Sequence, residues 1–481
     1  MQVLIQQPNT PSRLVQRLQK FVASKYMLPI FAFVVLFCHM FALDAIGFTL
    51  LAAYMILVSL SKTHIRAILP AFFMLIMVIS LQNGVVIENG EMHLDYIFNM
   101  LWYLITLGVM VIVSLVIGIY RRGLRFRFSW GFLGILFMAL SFILGGLFMQ
   151  DYPALNIAGG FIMAAMFIGL YIFAGFVMPK VKMEYLAWVV VYTSLVVVLQ
   201  IIRVYVIRDI FGSLISNTGI NWIKNDITLG WGITNSVAPM MAIGAPFAAY
   251  LALKHKSPIY MCLIIGVQTL GVLMTFSRGV IIFSVPFALI TLVYLIIRTK
   301  KWQRLHVIIG SLILILISII LFYLIWDRIV EMLQNMSEGT GRDSLFRDAI
   351  DAFLRNPIFG EGIAYRFQNH DLTVPLYLVH NTPLQFLMWG GIFGLLAFAA
   401  HTVFLFLTGL YKPTETRLIL LSAIALIYLH SMLDIMFFFP HLTLIYMLFM
   451  AKMDSDAHKH GSKFAEIKIF NKTKIIHQPY G

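Results

Sequence analysis

Two arginines and one histidine offer chemistry that the rest of this chain does not. Arg278 stands in Thr275-Phe276-Ser277-Arg278-Gly279, between two apolar runs. Arg342 follows Gly339-Thr340-Gly341 and opens a stretch whose apolar positions, 345, 346, 349, 350, 353 and 354, fall on one helical face. His380 precedes Asn381, where a long polar segment returns to apolar sequence. A guanidinium is a planar fork of donors that matches phosphate oxygens. An imidazole near neutrality takes or gives a proton, or holds a hydroxyl by a hydrogen bond. The set suits capture of an anion beside a group that can handle a hydroxyl.

Each residue also has a plainer reading. Arg278 could snorkel to a membrane interface, and Arg342 could pair with Asp343. Against this, Ser277 can cap a helix that starts at Arg278, where backbone N–H groups and the positive dipole end favour an anion. Gly341 allows close approach of backbone to a ligand. Asn381 is expected to cap the span that follows it. A second tier lies on the same side of the chain. Asn235 sits near the end of a span, Arg203 lies about a turn inside one with Arg208 above it, and His430 and Asp434 are four apart on one face. Each of these could instead be ordinary polarity in helix packing.

The elements that position these residues are membrane helices. Hydrophobic residues make up 60% of the 481 and charged residues 12%, half the charged share of a soluble domain at about 25%. Apolar runs recur at roughly 27–43, 45–60, 65–82, 97–120, 130–149, 155–178, 185–207, 232–252, 258–276, 280–297, 305–326, 382–408, 418–434 and 437–452. Most are long enough to cross a hydrocarbon core of about 30 Å. The expected fold is an all-α polytopic membrane protein of about 12–14 transmembrane helices, with one large outward loop containing amphipathic helices. Its parts are a cytosolic basic tail at 1–26, bundle segments at 27–326 and 382–452, an extracytoplasmic loop at 327–381, and a second cytosolic basic tail at 453–481.

Net charge is +14, but its distribution argues against nucleic acid as a partner. With the amino-terminal tail inside, the clusters Lys62/Arg66, Arg121/Arg122/Arg125/Arg127, Lys180/Lys182, Lys254/Lys256, Arg298/Lys300/Lys301/Arg304 and Lys412/Arg417 all fall on the cytoplasmic side. The charge sets topology in the bilayer, with a modest attraction to anionic headgroups. Cys38 and Cys262 both lie in apolar runs, so neither a disulfide framework nor a cysteine metal site is implied. The outer loops carry no convincing carboxylate cluster for a metal, and no cofactor motif is present.

This topology turns the loop 327–381, the loop 208–231 and the Ser277-Arg278 junction outward. No ATP or nucleotide-sugar is available there. A substrate must arrive already activated, and a lipid-linked donor is the natural form within a membrane.

The motifs together resemble the O-antigen ligase/polysaccharide polymerase superfamily of bacterial membrane glycosyltransferases. The resemblance rests on Thr275-Phe276-Ser277-Arg278-Gly279, on Gly341-Arg342 followed by Pro357-Ile358-Phe359-Gly360-Glu361-Gly362, and on His380-Asn381-Thr382-Pro383-Leu384 followed by Gly390-Gly391 and Gly394. Asn235 and Asp434 are similar to weaker family positions. The resemblance implies transfer from an undecaprenyl-pyrophosphate-linked glycan to a glycan or lipid acceptor, with a flippase and a chain-length regulator as further partners. Arg278 and Arg342 would hold the pyrophosphate, and His380 would orient or deprotonate the acceptor hydroxyl. No metal or cofactor is implied. A polymerase of cell-surface polysaccharide (capsule, exopolysaccharide or O-antigen) is favoured over a ligase that moves the glycan to lipid A core or protein. A lipid-linked sugar flippase would need polar residues at mid-depth and repeated halves, and the chain offers neither pattern.

Overall fold

The computed structural model describes residues 13–60, 65–81, 87–88, 91–92, 129–148, 153–215, 223–224, 226–255, 258–324, 342–366, 373–374 and 377–463, with isolated positions at 105–120, 326 and 330. Its helices are α1 (Arg13–Val22), α2 (Leu28–Met40), α3 (Asp44–Leu60), α4 (Leu69–Met74), α5 (Trp130–Phe148), α6 (Pro153–Val177), α7 (Met183–Ile207) and α8 (Ile210–Ile215). They continue with α9 (Thr234–Ala242), α10 (Gly244–Lys254), α11 (Ile259–Met274), α12 (Arg278–Arg298), α13 (Lys301–Leu324), α14 (Arg342–Arg355), α15 (Thr382–Leu410), α16 (Glu415–Ser431) and α17 (Pro440–Lys459). Two antiparallel pairs of two-residue strands, 87–88 with 91–92 and 365–366 with 373–374, are the other regular elements among the described residues. The chain is an all-α polytopic membrane protein.

Six helical segments among the described residues are long and apolar enough to cross a membrane: α5, α6, α7, the α9–α10 pair, α12 and α15. The bent pair Arg13–Val22 and Lys25–Met40, with 71° between its arms, makes a seventh if taken as one span. The expected spans 27–43 and 45–60 form α2 and α3, of 13 and 17 residues. At about 1.5 Å per residue, α2 reaches only about 20 Å and needs other elements to complete a crossing.

The expected span 65–82 is not a regular helix. Two short 3-10 turns flank the six-residue α4, and residues 65–80 are buried almost throughout. Broken backbone at membrane depth needs internal partners, and neighbouring side chains supply them. The Gln200 amide donates to Met77 O at 2.7 Å, His39 Nδ1 bonds Ile79 O at 2.8 Å, and Asp44 accepts from Ser80 N.

Small residues let α5, α6 and α15 approach closely. A Cβ added at Gly146 would come 2.4 Å from Asn156 O, and one at Gly160 would come 2.4 Å from Phe142 O. The outward side of α13 presents Leu312, Leu316, Ile319 and Ile320, suited to lipid.

α15 is broken at Gly391, whose φ of 61° and ψ of −156° lie outside the helical region. The Pro357–Gly362 segment repairs the break. Glu361 N and Gly362 N donate to Met388 O and Trp389 O, while Ile392 N and Phe393 N donate to Pro357 O and Ile358 O. The glycine-rich part of the long polar stretch is therefore a backbone splint for the helix that His380 precedes. Arg355 clamps it from α14 by a bidentate pair with Glu361.

Candidate functional site

One end of the bundle gathers the amino ends of α9, α12, α14 and α15 and the link 432–439 between α16 and α17. Ser277 lies just before α12 in extended backbone. Its hydroxyl makes no capping bond to the helix, contrary to the sequence expectation; it donates instead to Asn235 Oδ1 at 2.8 Å. Thr275 Oγ1 accepts from Ser277 N, which leaves the Ser277 side chain available to Asn235. The bond joins the amino ends of α9 and α12. Gly279 permits the next contact, since an added Cβ would come 3.1 Å from Leu433 Cδ1.

His380 occupies the left-handed region with φ of 51°, as does Phe276 with φ of 50°. Non-glycine residues rarely adopt this conformation, and it persists only where surroundings enforce it. At His380 the surroundings are clear. Asn381 caps α15, as expected, by accepting from Leu384 N at 3.0 Å, and its amide donates to Met432 O at 2.8 Å. Thr382 Oγ1 donates to Asp434 O. Two residues after His380 are thus tied to the 432–434 link.

The same link carries the partner of the imidazole. His380 Nδ1 lies 2.8 Å from Asp434 Oδ1, with the histidine side chain 36% exposed and the aspartate 5%. Ile435 N also donates to Asp434 Oδ1. Burial alone would push the Asp434 carboxyl up, but the hydrogen bond and charge of His380, the Ile435 N–H and the nearby Arg342 together hold it below its ordinary value. A carboxylate only accepts, so Nδ1 is the donor to Asp434 and Nε2 is the ring nitrogen left to meet a substrate.

A small, open cleft lies beside these residues, with Asn235, Ser277, Arg342, His430 and Asp434 as its polar lining and Gly279, Val280, Leu433 and Met436 as the rest. His430 Nε2 lies 3.3 Å from Ser284 Oγ on α12, which fixes the ring in the wall. Arg342 is the first residue of α14. That helix is amphipathic as expected, with Ala349 and Ala352 buried, and Asp348 accepts from Tyr377 Oη at 2.6 Å.

The structure adds Lys224, which the sequence reading passed over. It is half-buried, and burial followed by the charges of Arg278 and Arg342 lowers its pKa to about 8, with Asp434 pulling the other way. The charges of Arg278, Arg342 and Asp434 are thus felt at Lys224. A signal was present in the sequence: Lys224 is a lone lysine in a loop assigned to the side where cations are scarce.

Two candidates are placed elsewhere. Arg203 donates to His39 O at 3.0 Å and Met40 O at 2.7 Å, satisfying the carboxy end of α2. Arg208 donates to Asp226 O at 2.7 Å and so braces the turn that holds Lys224. Gly341 lies outside the described residues. Among the described residues no group of three or more His, Cys, Asp or Glu side chains comes together to hold a metal ion.

Residues 261–399 match the family model described as O-Antigen ligase. This stretch is similar to an O-antigen ligase domain. It contains Arg278, Arg342 and His380, and it supports the superfamily read from the motifs, whose members carry out glycosyl transfer at a membrane. Lys224, Asn235, His430 and Asp434 lie outside the matched stretch and reach its residues only through the fold. No curated protein matches the chain.

Proposed function

We propose that the cleft is the catalytic centre for glycosyl transfer from an undecaprenyl-pyrophosphate-linked oligosaccharide. The reaction takes place at the extracytoplasmic face of a bacterial cytoplasmic membrane and polymerises repeat units of a cell-surface polysaccharide. The observation that supports this reading is the His380–Asp434 pair with Arg342 and Asp434 in one cleft wall, where Ser277 leads into α12 at Arg278. The alternative within the same chemistry is a ligase that moves the finished glycan to lipid A core or protein.

In this reading the acceptor hydroxyl donates to His380 Nε2. Its oxygen attacks the anomeric carbon as the bond from that carbon to the pyrophosphate oxygen breaks. The electron pair leaves on the pyrophosphate, where Arg278 and Arg342 meet the growing charge. The hydroxyl proton passes to His380, and Asp434 stabilises the imidazolium that results. Direct displacement inverts the anomeric centre. The residues suffice without a metal, so the rate is expected to survive a chelator.

The test uses purified full-length protein with a defined lipid-pyrophosphate oligosaccharide, and product mass analysis. Chain growth on the same lipid supports a polymerase; transfer to an added acceptor supports a ligase. Arg278→Ala, Arg342→Ala and His380→Ala are each expected to lower the rate on the order of 10²–10³-fold. Full activity in all three variants would overturn the assignment.

A further inference from the structure

None of the ten residues of α1 is buried, although half of them are apolar. Leu14, Leu18 and Phe21 are 68%, 54% and 43% exposed. At helical spacing, Leu14, Val15, Leu18, Phe21 and Val22 fall within one arc of about 120°, and Arg13, Arg17 and Lys20 gather on the far side. The helix holds no Asp or Glu. An isolated helix shorter than about 12–15 residues is marginal in water. One that buries none of its own residues needs an external surface to hold it.

The placement of α1 says what that surface is. α2 carries no Asp, Glu, Lys or Arg, and Ile30, Phe33 and Phe37 are exposed along it, as suits lipid. α1 turns 71° away from the Lys25–Met40 arm, so it runs close to the plane of the bilayer that α2 enters. The turn is fixed from several sides. Ser24 N and Ser24 Oγ both donate to Phe21 O, at 2.9 and 2.6 Å, which ends α1. Arg66 Nε donates to Ala23 O at 3.2 Å, and the Arg66 guanidinium lies over the Tyr185 ring. Lys25 Nζ stands 5.2 Å from the centre of the Trp188 ring, a pairing suited to headgroup depth. Tyr185 and Trp188 lie in the first turns of α7. Near the other end of α7, the Tyr205 hydroxyl donates to Met274 O, just before Ser277 and the cleft. α1 therefore lies at the end of the bundle away from the cleft.

We propose that α1 is an interfacial helix that docks on the anionic headgroups of the leaflet opposite the cleft. Leu14, Leu18 and Phe21 enter the boundary of the acyl chains, and Arg13, Arg17 and Lys20 meet phosphate oxygens. Three cations in ten residues keep the helix out of the hydrocarbon, and its apolar arc draws it out of water. Basic residues without an acid among them select an anionic surface over a neutral one, by about fivefold for each residue close to it. The pinned elbow passes this anchorage to α2 and, through Arg66, to the buried 65–80 segment.

The test is hydrogen exchange at the α1 amides of the full-length protein, one chain per nanodisc, in phosphatidylglycerol and in phosphatidylcholine. The variants are the triple changes Arg13→Gln/Arg17→Gln/Lys20→Gln and Leu14→Ser/Leu18→Ser/Phe21→Ser, with protection of α7 as the check on folding. Wild-type α1 is expected to exchange on the order of tenfold more slowly in phosphatidylglycerol. The Gln variant is expected to lose that difference, and the Ser variant to exchange fast in both lipids. Wild-type exchange that is equal in the two lipids overturns the proposal. Protection that then vanishes on deletion of residues 1–12 assigns the cover to the amino-terminal segment, and protection found only in discs holding two chains assigns it to a second copy. A lipid difference that persists in the Gln variant also overturns the proposal, because the three cations are then not its source.

Discussion

His380 Nδ1 and Asp434 Oδ1 are 2.8 Å apart across 54 positions of chain, and the bond decides which ring nitrogen can meet a substrate. Nδ1 is committed to the buried carboxylate, so only Nε2 remains for a hydroxyl. Asp434 itself is held by Ile435 N, and the carbonyl of Asp434 by Thr382. The pair is thus fixed from both α15 and the 432–439 link.

Asp434→Asn should keep the fold and lose the charge that stabilises the imidazolium. The expected result is a fall in kcat on the order of 10²-fold with donor KM little changed. Steady-state kinetics on the lipid-linked donor checks it. A variant with wild-type kcat would show that the carboxylate only anchors the loop. Because the Asp434 pKa is held below its ordinary value, its contribution to stability is present above about pH 4 and is lost as pH falls further. The wild-type melting temperature should therefore drop more steeply in acid than that of Asp434→Asn.

Arg203 and Arg342 make a sharp contrast, since both looked like site residues in the sequence. Arg203 serves the His39 and Met40 carbonyls. Arg203→Ala should cost about 1–3 kcal/mol of stability through the orphaned carbonyls and leave kcat per folded molecule intact. Arg342→Ala should do the reverse. Melting curves and turnover measured on the same preparations separate them. A large loss of turnover in folded Arg203→Ala would put that arginine back in the site.

What the sequence could show was local. Ser277-Arg278, the amphipathic α14 behind Arg342, and the Asn381 cap at His380 are all short patterns, and a short pattern needs no knowledge of the fold. Which helix ends meet is not a short pattern. Asp434 reaches His380 because the 432–439 link folds over Gly279, and neither residue advertises the other. Lys224 was missed because its loop has no periodicity, and its setting comes from α12 and α14. Residues 65–82 misled because uniform apolarity reads as a spanning helix, whereas Pro70 and the bonds from Gln200, His39 and Asp44 favour a buried broken segment. Gly360-Glu361-Gly362 looked like part of a polar site, yet its backbone mends the gap at Gly391 in α15.

That gap yields a stability prediction. Gly391 has a conformation open almost only to glycine, and an added Cβ would come 2.5 Å from Ile358 C and O. Gly391→Ala should cost about 2–4 kcal/mol and displace the Pro357–Gly362 splint. His380 stands ahead of this helix, so turnover should fall together with stability. The check is the melting temperature in detergent, with hydrogen exchange at Glu361 and Gly362. Wild-type melting and unchanged protection of both amides would mean that α15 tolerates a continuous helix there.

Lys224 should make the protein less stable at neutral pH. Its folded pKa of about 8 lies below the ordinary lysine value, because burial and the charges of Arg278 and Arg342 disfavour the ammonium form. Between about pH 8 and about pH 10.4 the unfolded chain holds a proton that the folded chain has released. Stability must then rise with pH across that window, and the penalty is present in full below it. Lys224→Met removes the charge, so it should melt about 1–3 °C above wild type at pH 7. The difference should shrink as pH rises toward 10. Scanning fluorimetry of both proteins at pH 7 and pH 9.5 gives the readings. If wild type melts above Lys224→Met at pH 7, the lysine is a stabilising ion-pair partner and not a destabilising charge.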